Sequence, residues 1–322
     1  MSDRKKTLAD WRTEIDHIDD EILGLLNRRA GCVSEVGRLK QADRSSIYVA
    51  SRELDIFERL EEGHRGPFPR EAIRTVFREI ISASYSVERG VRVAFLGPEA
   101  TYTHQAGIQQ FGHLADFLPT GTTDEIFGAV AEGRADYGVV PVENSTEGVV
   151  SHTLDLFVDS ELTISAEIHV PVHHDLLSRT GDLRQVRVVG SHPQALAQCR
   201  RWLEVNLPEV EQNPTPSTAL AAERASRNEE SAAIASPVAA GIYGLRVIRS
   251  GIEDNPSNTT RFLVISRDPP KRSSRDITSL LFSIKRDEVG ALHRALEPFA
   301  RCGVNLTRIE SRPTKVRNWE YL

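Results

Sequence analysis

The chain has 322 residues, 39% of them hydrophobic and 27% charged, with a formal net charge of −6, which suits a soluble globular protein of two or three domains. That charge gives no reason to expect a nucleic-acid partner, no apolar run approaches a membrane span, and Met1 to Asp10 is charged without the apolar core of a secretory signal. Cys32, Cys199 and Cys302 are odd in number and far apart, which fits free thiols in a reducing cytoplasm better than a disulfide or zinc framework.

Residues 1–90 read as helices only. Leu8, Trp11, Ile15, Ile18, Ile22 and Leu25, then Arg29, Cys32, Val36 and Leu39, follow in steps of three and four, which is a helical seam. No proline interrupts Thr7 to Lys40. At 1.5 Å per residue such a helix is about 50 Å long. A domain of about ninety residues has a radius of gyration near 13 Å. Its own domain cannot cover the helix, so a second copy of the chain is the expected partner. A second helix is predicted over residues 49–62 and a third over Arg70–Glu88, with Ile73, Phe77, Ile80, Ser84 and Val87/Glu88 on one face.

Polar groups interrupt these apolar faces. Arg29 sits on the seam, and Lys40 lies eleven residues on, nearly on the same face. Ser84 and Glu88 end the face of the third helix. Charges on an inward face are costly unless paired or serving a ligand. Two readings fit: an internal ion-pair network, or a cationic pocket for a small dianion with Glu88 supplying a hydrogen bond. Arg12 lies seventeen residues from Arg29, roughly 25 Å along the same helix, and reaches such a pocket only from a partner chain.

Arg12, Arg29, Lys40, Arg52-Glu53, Ser84 and Glu88 fall in the order and spacing of the all-helical chorismate mutase family, which this segment resembles. The resemblance implies an intertwined helical dimer whose arginines grip the two carboxylates of chorismate. It implies clamping by Arg12, Arg29 and Arg52, contact of Lys40 and Glu88 with the breaking ether oxygen, and contact of Glu53 with the ring hydroxyl. Ser84 falls among the substrate-binding positions. Val49 stands where one family member has an aspartate, and Glu88 where some carry glutamine. A carboxyl donates to an ether oxygen only when protonated, so the neutral acid is the expected working form of Glu88.

The middle of the chain alternates strand and helix. Residues 91–98 read as a strand ending in a glycine turn, and 103–111 as the following helix. Residues 136–148 form a strand running into a polar turn. The apolar run 161–177 is too long for one strand of a small sheet and reads as a crossing between two lobes. Residues 186–195 repeat strand, turn and helix, with Pro193 in a first helical turn. Residues 232–236 and 245–248 add short strands. His169, His173 and His174 share a stretch containing Pro171 and show no second cluster, so no metal is expected.

Residues 252–265 join Asn255-Pro256-Ser257-Asn258, strong turn chemistry, to the buried-strand pattern Phe262-Leu263-Val264-Ile265. Taken alone this is an ordinary loop entering a strand. Yet in α/β sheets ligands sit at the carboxyl ends of strands, where Asn144, Ser145, Thr146, Ser191, His192 and Thr260 all fall. Leu96-Gly97-Pro98-Glu99, the run Pro141 to Gly148, Ser191-His192-Pro193-Gln194 and Asn258-Thr259-Thr260-Arg261-Phe262, in this order, resemble the prephenate dehydratase family. The resemblance implies two α/β lobes with the site in the cleft between them and no cofactor. It gives Thr260 the role of donor to the leaving hydroxyl. Arg261 would bind or orient a carboxylate, and Asn144, Ser191, His192 and Gln198 would position the substrate. Ala100 replaces the usual glycine of the first motif.

Residues 267–275 are a polar, proline-containing linker. A strand over 278–284 and a helix over 290–302 are expected beyond it. Gly290-Ala291-Leu292, Asn305 and Glu310-Ser311-Arg312-Pro313 resemble the ACT regulatory domain that binds phenylalanine in these enzymes. That pattern extends past Leu322, so weak phenylalanine feedback is expected. The whole is read as multidomain: an all-α mutase domain over 1–90, a two-lobed α/β dehydratase domain over 91–267, and a partial α+β ACT-like domain over 276–322. The resemblance implies chorismate and prephenate as substrates, a homodimer or higher homo-oligomer, and a cytoplasmic place. Two alternatives stay open: a dehydratase with an impaired mutase, given Val49, and a non-catalytic two-lobed ligand sensor.

Overall fold

A computed structural model describes residues 6–43, 48, 50–88, 90–273, 276–283 and 288–311, without the side chains of residues 40–43 and 88. Val49 and Arg312, and the side chains of Lys40 and Glu88, therefore lie outside the described residues.

Three helices open the chain: α1 (Leu8–Asp43), α2 (Ala50–Gly63) and α3 (Arg70–Glu88). α1 runs for 36 residues as its uninterrupted periodicity requires. Its seam is not covered within the chain: Trp11 is 52% exposed, Ile15 55% and Leu25 59%. α3 buries Ile73, Ile81, Ser82 and Ser84. Val87, expected on that face, is exposed.

The remaining elements are β1 (Arg92–Leu96), α4 (Tyr102–Phe111), β2 (Asp116–Thr120), α5 (Thr123–Ala131), β3 (Tyr137–Asn144), β4 (Gly148–Val149), α6 (Ser151–Leu156), β5 (Thr163–Pro171), β6 (Asp175–Ser178), β7 (Val188–Ser191), α7 (Pro193–Gln198), α8 (Arg200–Asn206), β8 (Glu211–Pro214), α9 (Thr218–Ala225), β9 (Ser231–Ala235), α10 (Pro237–Tyr243), β10 (Arg246–Arg249), β11 (Thr259–Ser266) and α11 (Ala291–Arg301). They build two sheets. The first has the order β2-β1-β3-β11-β5, with β4 added to β3, and the second the order β10-β6-β9-β7-β8. Each sheet is buried on both faces, by one apolar cluster per face. That is why strands such as 262–265 read as unbroken apolar runs. The apolar stretch expected to cross between lobes does so: β5 ends the first sheet and β6 starts in the second.

The chain enters the second lobe at residues 172–174 and returns at 250–258. The two crossings bond to each other, Val172 N to the Asn258 carbonyl at 2.8 Å and Ile252 N to the His174 carbonyl at 2.9 Å. Ala100 adds a third contact. Its methyl is fully buried in an apolar cluster of the second lobe, and its carbonyl accepts from Ser236 Oγ at 2.9 Å. Ala100 has φ 67°, which costs a non-glycine residue about 1 kcal/mol. The backbone thus explains the glycine usual at this position.

Beyond residue 267 the expected strand over 278–284 is absent from its described part, residues 278–283. The expected helix is present as α11, and residues 303–311 carry no strand. An ACT-like sheet is thus not formed among the described residues. No helix of the described residues is long and apolar enough to cross a membrane.

Gly138, in the middle of β3, tests how tightly the first sheet holds its register. A Cβ there would lie 2.5 Å from Ile126 Cγ2 and 2.9 Å from Ile265 Cγ1. Gly138→Ala should cost about 1–3 kcal/mol by overpacking. Urea unfolding should show a lower midpoint with an unchanged slope.

Candidate active sites

The helical domain brings some of its expected site residues together. Arg29 Nη1 donates to Ser84 Oγ and, at 3.4 Å, to the Ile80 carbonyl. Ser84 Oγ donates to the same carbonyl at 2.7 Å. The arginine on the apolar seam is thus paid for by α3. Glu53 is 3% exposed; its Oε2 accepts from Arg78 and its Oε1 from the Tyr85 hydroxyl. Burial holds its pKa above the ordinary carboxylate value, against the opposing pull of Arg78 and Tyr85. Arg52 is exposed, and so is Arg12, which stands roughly 25 Å along α1 from Arg29. Arg78 and Tyr85 were not legible from the sequence. Both lie on α3, but only the packing of α2 against α3 sets Glu53 beside them.

In the first lobe, β11 lies antiparallel between β3 and β5, and Thr260 pairs in register with Asn144. Asn144 Nδ2 donates to Thr260 Oγ1 at 2.8 Å. The orientation of this amide is over-determined. Its Oδ1 accepts from Thr146 N at 3.0 Å, Thr146 Oγ1 at 2.6 Å and Glu147 N at 3.1 Å. Three donors face the oxygen, so the amide nitrogen must face Thr260. Thr260 therefore accepts from Asn144 and keeps its own O–H to donate elsewhere. Asn258, the first residue of its motif, ties this turn down: its Oδ1 accepts from Ser145 Oγ at 3.3 Å. Ser145 Oγ in turn accepts from Thr259 N at 2.9 Å.

Arg261 faces the other way, since successive strand residues alternate. Its Nη2 donates to Glu167 Oε2 at 2.9 Å, and its Nη1 lies 3.6 Å from Glu143 Oε2. Its Nε is 2.9 Å from Glu167 Oε1 but makes no aligned hydrogen bond. Burial raises the pKa of Glu167, but Arg261 and then His169 outweigh it and hold the carboxyl below its ordinary value. The expected carboxylate ligand is thus already paired within the protein. Glu167 gave a faint signal, a lone charge inside an apolar run, but its partner depends on register.

Two more of the expected site residues have partners within the protein. Ser191 is fully buried and its Oγ donates to the Ile234 carbonyl at 2.6 Å. Its hydroxyl holds β7 to β9. Gln198 Oε1 lies 2.7 Å from His174 Nε2, and His174 Nδ1 lies 2.9 Å from the Tyr102 hydroxyl. This part-buried chain links the second lobe to the crossing and to α4 of the first. Burial pushes the His174 pKa below its ordinary value, against the pull of Gln198. Glu253 of the return crossing closes the hinge, binding His173 Nδ1 at 2.7 Å and His174 N at 2.9 Å. His192 caps α7 by accepting from Gln194 N at 3.3 Å and is half-buried at the end of β7.

Of the expected effector positions, Gly290 caps α11 at φ 75° and Ala291 is half-buried. Leu292, Asn305 and Ser311 are exposed, and Glu310 accepts from Arg308 at 3.1 Å. Arg308 also donates to Glu143, so the C-terminal segment touches β3 one residue before Asn144.

A prephenate dehydratase family model matches residues 93–270, and a chorismate mutase type II model residues 11–89. The bifunctional chorismate mutase/prephenate dehydratase of Aquifex aeolicus is 48% identical over 98% of this chain and 88% of its own length. The chain belongs to this bifunctional family. It carries a chorismate mutase, an isomerase, and a prephenate dehydratase, a lyase, and serves phenylalanine biosynthesis. The two-lobed part resembles the crystal structure of the Arthrobacter aurescens prephenate dehydratase in complex with L-Phe. The TM-score is 0.62 and the identity 36%, over 72% of this chain and 78% of that one. It also resembles a structure described as a quorum-quenching acylase, GqqA, with TM-score 0.61 and 31% identity over 71% of this chain and 83% of that one.

The polarity of the Asn144–Thr260 bond gives a sharp test. Asn144→Asp keeps an acceptor for the Thr146 and Glu147 amides, so the turn should survive. It replaces the donor facing Thr260 by a second acceptor, and Thr260 must then spend its proton on the new carboxylate. Prephenate dehydration should fall about 100-fold or more, with the melting temperature little changed and mutase turnover retained. Steady-state kinetics with each substrate, beside a thermal melt, check this.

Proposed function

We propose that Thr260 delivers the hydrogen bond that releases the ring hydroxyl of prephenate, and the orientation of the Asn144 amide supports this reading. The C–CO2 bond breaks and its electron pair flows into the ring. The ring C–O bond breaks in turn, the hydroxyl leaves with the pair of that bond and takes up one proton to become water, and the products are phenylpyruvate and carbon dioxide. Aromatisation supplies the driving force, so residues need only bind, orient and assist the departing oxygen. Threonine is a poor acid at neutral pH. Its contribution is a positioned O–H whose lone pair is already engaged by Asn144. His192, at the mouth of the second lobe, is the candidate for substrate contact there. Arg261 acts as an anchor of β11 through Glu167 and Glu143, holding Thr260 in register, and Gln198 acts through the hinge.

For the mutase we infer a pocket shared between two copies of the chain. The rearrangement is intramolecular, so catalysis consists of holding the reactive conformer and stabilising charge on the ether oxygen. Arg29 with Ser84, Arg52 and Glu53 line the pocket from one chain, with Lys40 and Glu88 assigned to the ether oxygen. A carboxylate has about four lone-pair sites, so Glu53 keeps room for the ring hydroxyl beside Arg78 and Tyr85. Arg12 comes from the partner, and the exposed seam of α1 supports that pairing. Phenylalanine is the effector assigned to the C-terminal segment. The L-Phe complex of the Arthrobacter relative and the motifs at Gly290–Leu292 and Glu310-Ser311 support it.

Two experiments check these assignments. Thr260→Ala should abolish phenylpyruvate formation and leave chorismate conversion near wild type. Equal loss of both activities in a folded variant would contradict separate sites. Arg12→Ala and Arg29→Ala chains, each inactive as a mutase, should regain activity on mixing. No recovery, with subunit exchange shown by native mass spectrometry, would remove the shared pocket.

A further inference from the structure

Tyr48 belongs by sequence to the helical domain but is seated in the other one. It lies two residues before α2 and is 3% exposed. Its neighbours are the apolar cluster on one face of the first dehydratase sheet. Its ring centroid lies 4.9 Å from that of Phe111 and 5.1 Å from that of Tyr137. Both partners are dehydratase residues, on α4 and β3. Polar bonds fix the same seat: Gln110 Nε2 donates to the Tyr48 hydroxyl, and the Tyr137 hydroxyl donates to the Tyr48 carbonyl at 3.3 Å.

The other edge of this wedge faces back into the helical domain. Tyr48 meets Tyr85 of α3 edge-on, with centroids 6.1 Å apart and planes at 68°. Tyr85 donates its hydroxyl to Glu53 Oε1, while Arg78 holds Oε2. A continuous line therefore runs from the dehydratase core through Tyr48 and Tyr85 to Glu53. A buried carboxylate keeps its position only while its partners keep theirs.

We propose that Tyr48 is a positioning residue of the mutase whose seat is built by the dehydratase domain, so that Glu53 is held for chorismate by a different domain's core. This rests on the reading that Glu53 touches chorismate. The dependence runs one way. The line ends at Glu53 of the mutase, whereas Thr260 and Asn144 bond to each other at the end of the first sheet.

The test uses the full chain, with each activity assayed on its own substrate. Tyr48→Ala should lower mutase kcat by about 10–100-fold, the scale of an ångström-sized misplacement, with dehydration of supplied prephenate within about twofold. Tyr48→Phe keeps the wedge and should restore most mutase turnover. Tyr85→Phe removes the last link alone, leaves the apolar seat filled, and should lower mutase kcat without moving the melting temperature. A pH profile separates positioning from mere folding. The groups facing Glu53 are Arg78 and Tyr85 from α3, with Tyr48 beyond. With Tyr48→Ala water reaches Glu53, its burial-raised pKa falls, and the acid limb of mutase kcat/KM moves to lower pH. Glu53→Gln tells the two failures apart. Full mutase activity in Glu53→Gln would remove the role of Glu53 and the inference with it. An inactive Glu53→Gln beside fully active Tyr48→Ala and Tyr85→Phe would overturn the inference alone. If Tyr48→Ala does not fold, Tyr85→Phe decides by itself: wild-type mutase kcat overturns the proposal, and a selective loss upholds it.

Discussion

One hydrogen bond, from Asn144 Nδ2 to Thr260 Oγ1, is the contact on which the proposed chemistry of the two-lobed domain depends. It requires Thr260 to stand opposite Asn144, and so requires β11 to pair with β3 in one register. A slip by one residue would turn Thr260 to the far face of the sheet. Both sides of β11 guard against that slip. Its apolar residues Phe262 to Ile265 are buried in two clusters, and it is paired along its length with β3 and β5. On the face opposite Thr260, the ion pairs of Arg261 with Glu167 and Glu143 lock the same register by charge. Breaking one partner of such a half-buried cluster costs more than the pair contributes, because it strands the other charge. Arg261 thus serves Thr260 from behind.

The second lobe is fastened differently. Its contact with the first is built largely from polar groups: His174 with Gln198 and Tyr102, His173 with Glu253, Ser236 with the Ala100 carbonyl. The two crossings are bonded to each other, so they act as one hinge rather than two free linkers. Buried polar groups specify a geometry more strictly than apolar ones, since a displaced donor or acceptor loses its partner outright. The buried methyl of Ala100 inside the second lobe's core adds the apolar part of the joint. These contacts set where the end of β7, with His192, stands relative to the mouth of β11.

Much of this was legible in the sequence, and the limits have physical causes. The long α1, the three helices, the strands at 137–144 and 259–266 and the crossing near residue 172 all follow from periodicity and apolar runs. β2 and β8 did not, because they are edge strands. β2 holds Pro119, and β8 is exposed along its whole length, so neither shows the apolar signature of a buried strand. The site residues divide in the same way. Motif position singled out Thr260 and Asn144, whose side chains the structure brings to 2.8 Å. Packing gives Ser191, Gln198 and Arg261 partners within the protein: Ser191 Oγ donates to the Ile234 carbonyl, Gln198 Oε1 meets His174 Nε2, and Arg261 Nη2 donates to Glu167. Those partners are remote in sequence, and only register and packing bring them near. Tyr48 was invisible for the same reason: a tyrosine before a helix carries no mark of the domain it will enter.

The likeness to both a prephenate dehydratase and a quorum-quenching acylase shows that this two-lobed fold does not by itself select a reaction. On the role proposed for Thr260, the reaction is selected by the small polar arrangement at one end of the first sheet. Hydrolysis of an acyl group needs an activated nucleophile and donors for an oxyanion. Among the described residues, Thr260 Oγ1 is bonded to the Asn144 amide and to no base that could take its proton. Its partner Asn144 is a donor, which lowers the basicity of the oxygen and improves the hydroxyl as a hydrogen-bond donor. That polarity suits an oxygen that must leave, not one that must attack. The dehydration of prephenate asks for just that, since the breaking C–CO2 bond already supplies the electrons.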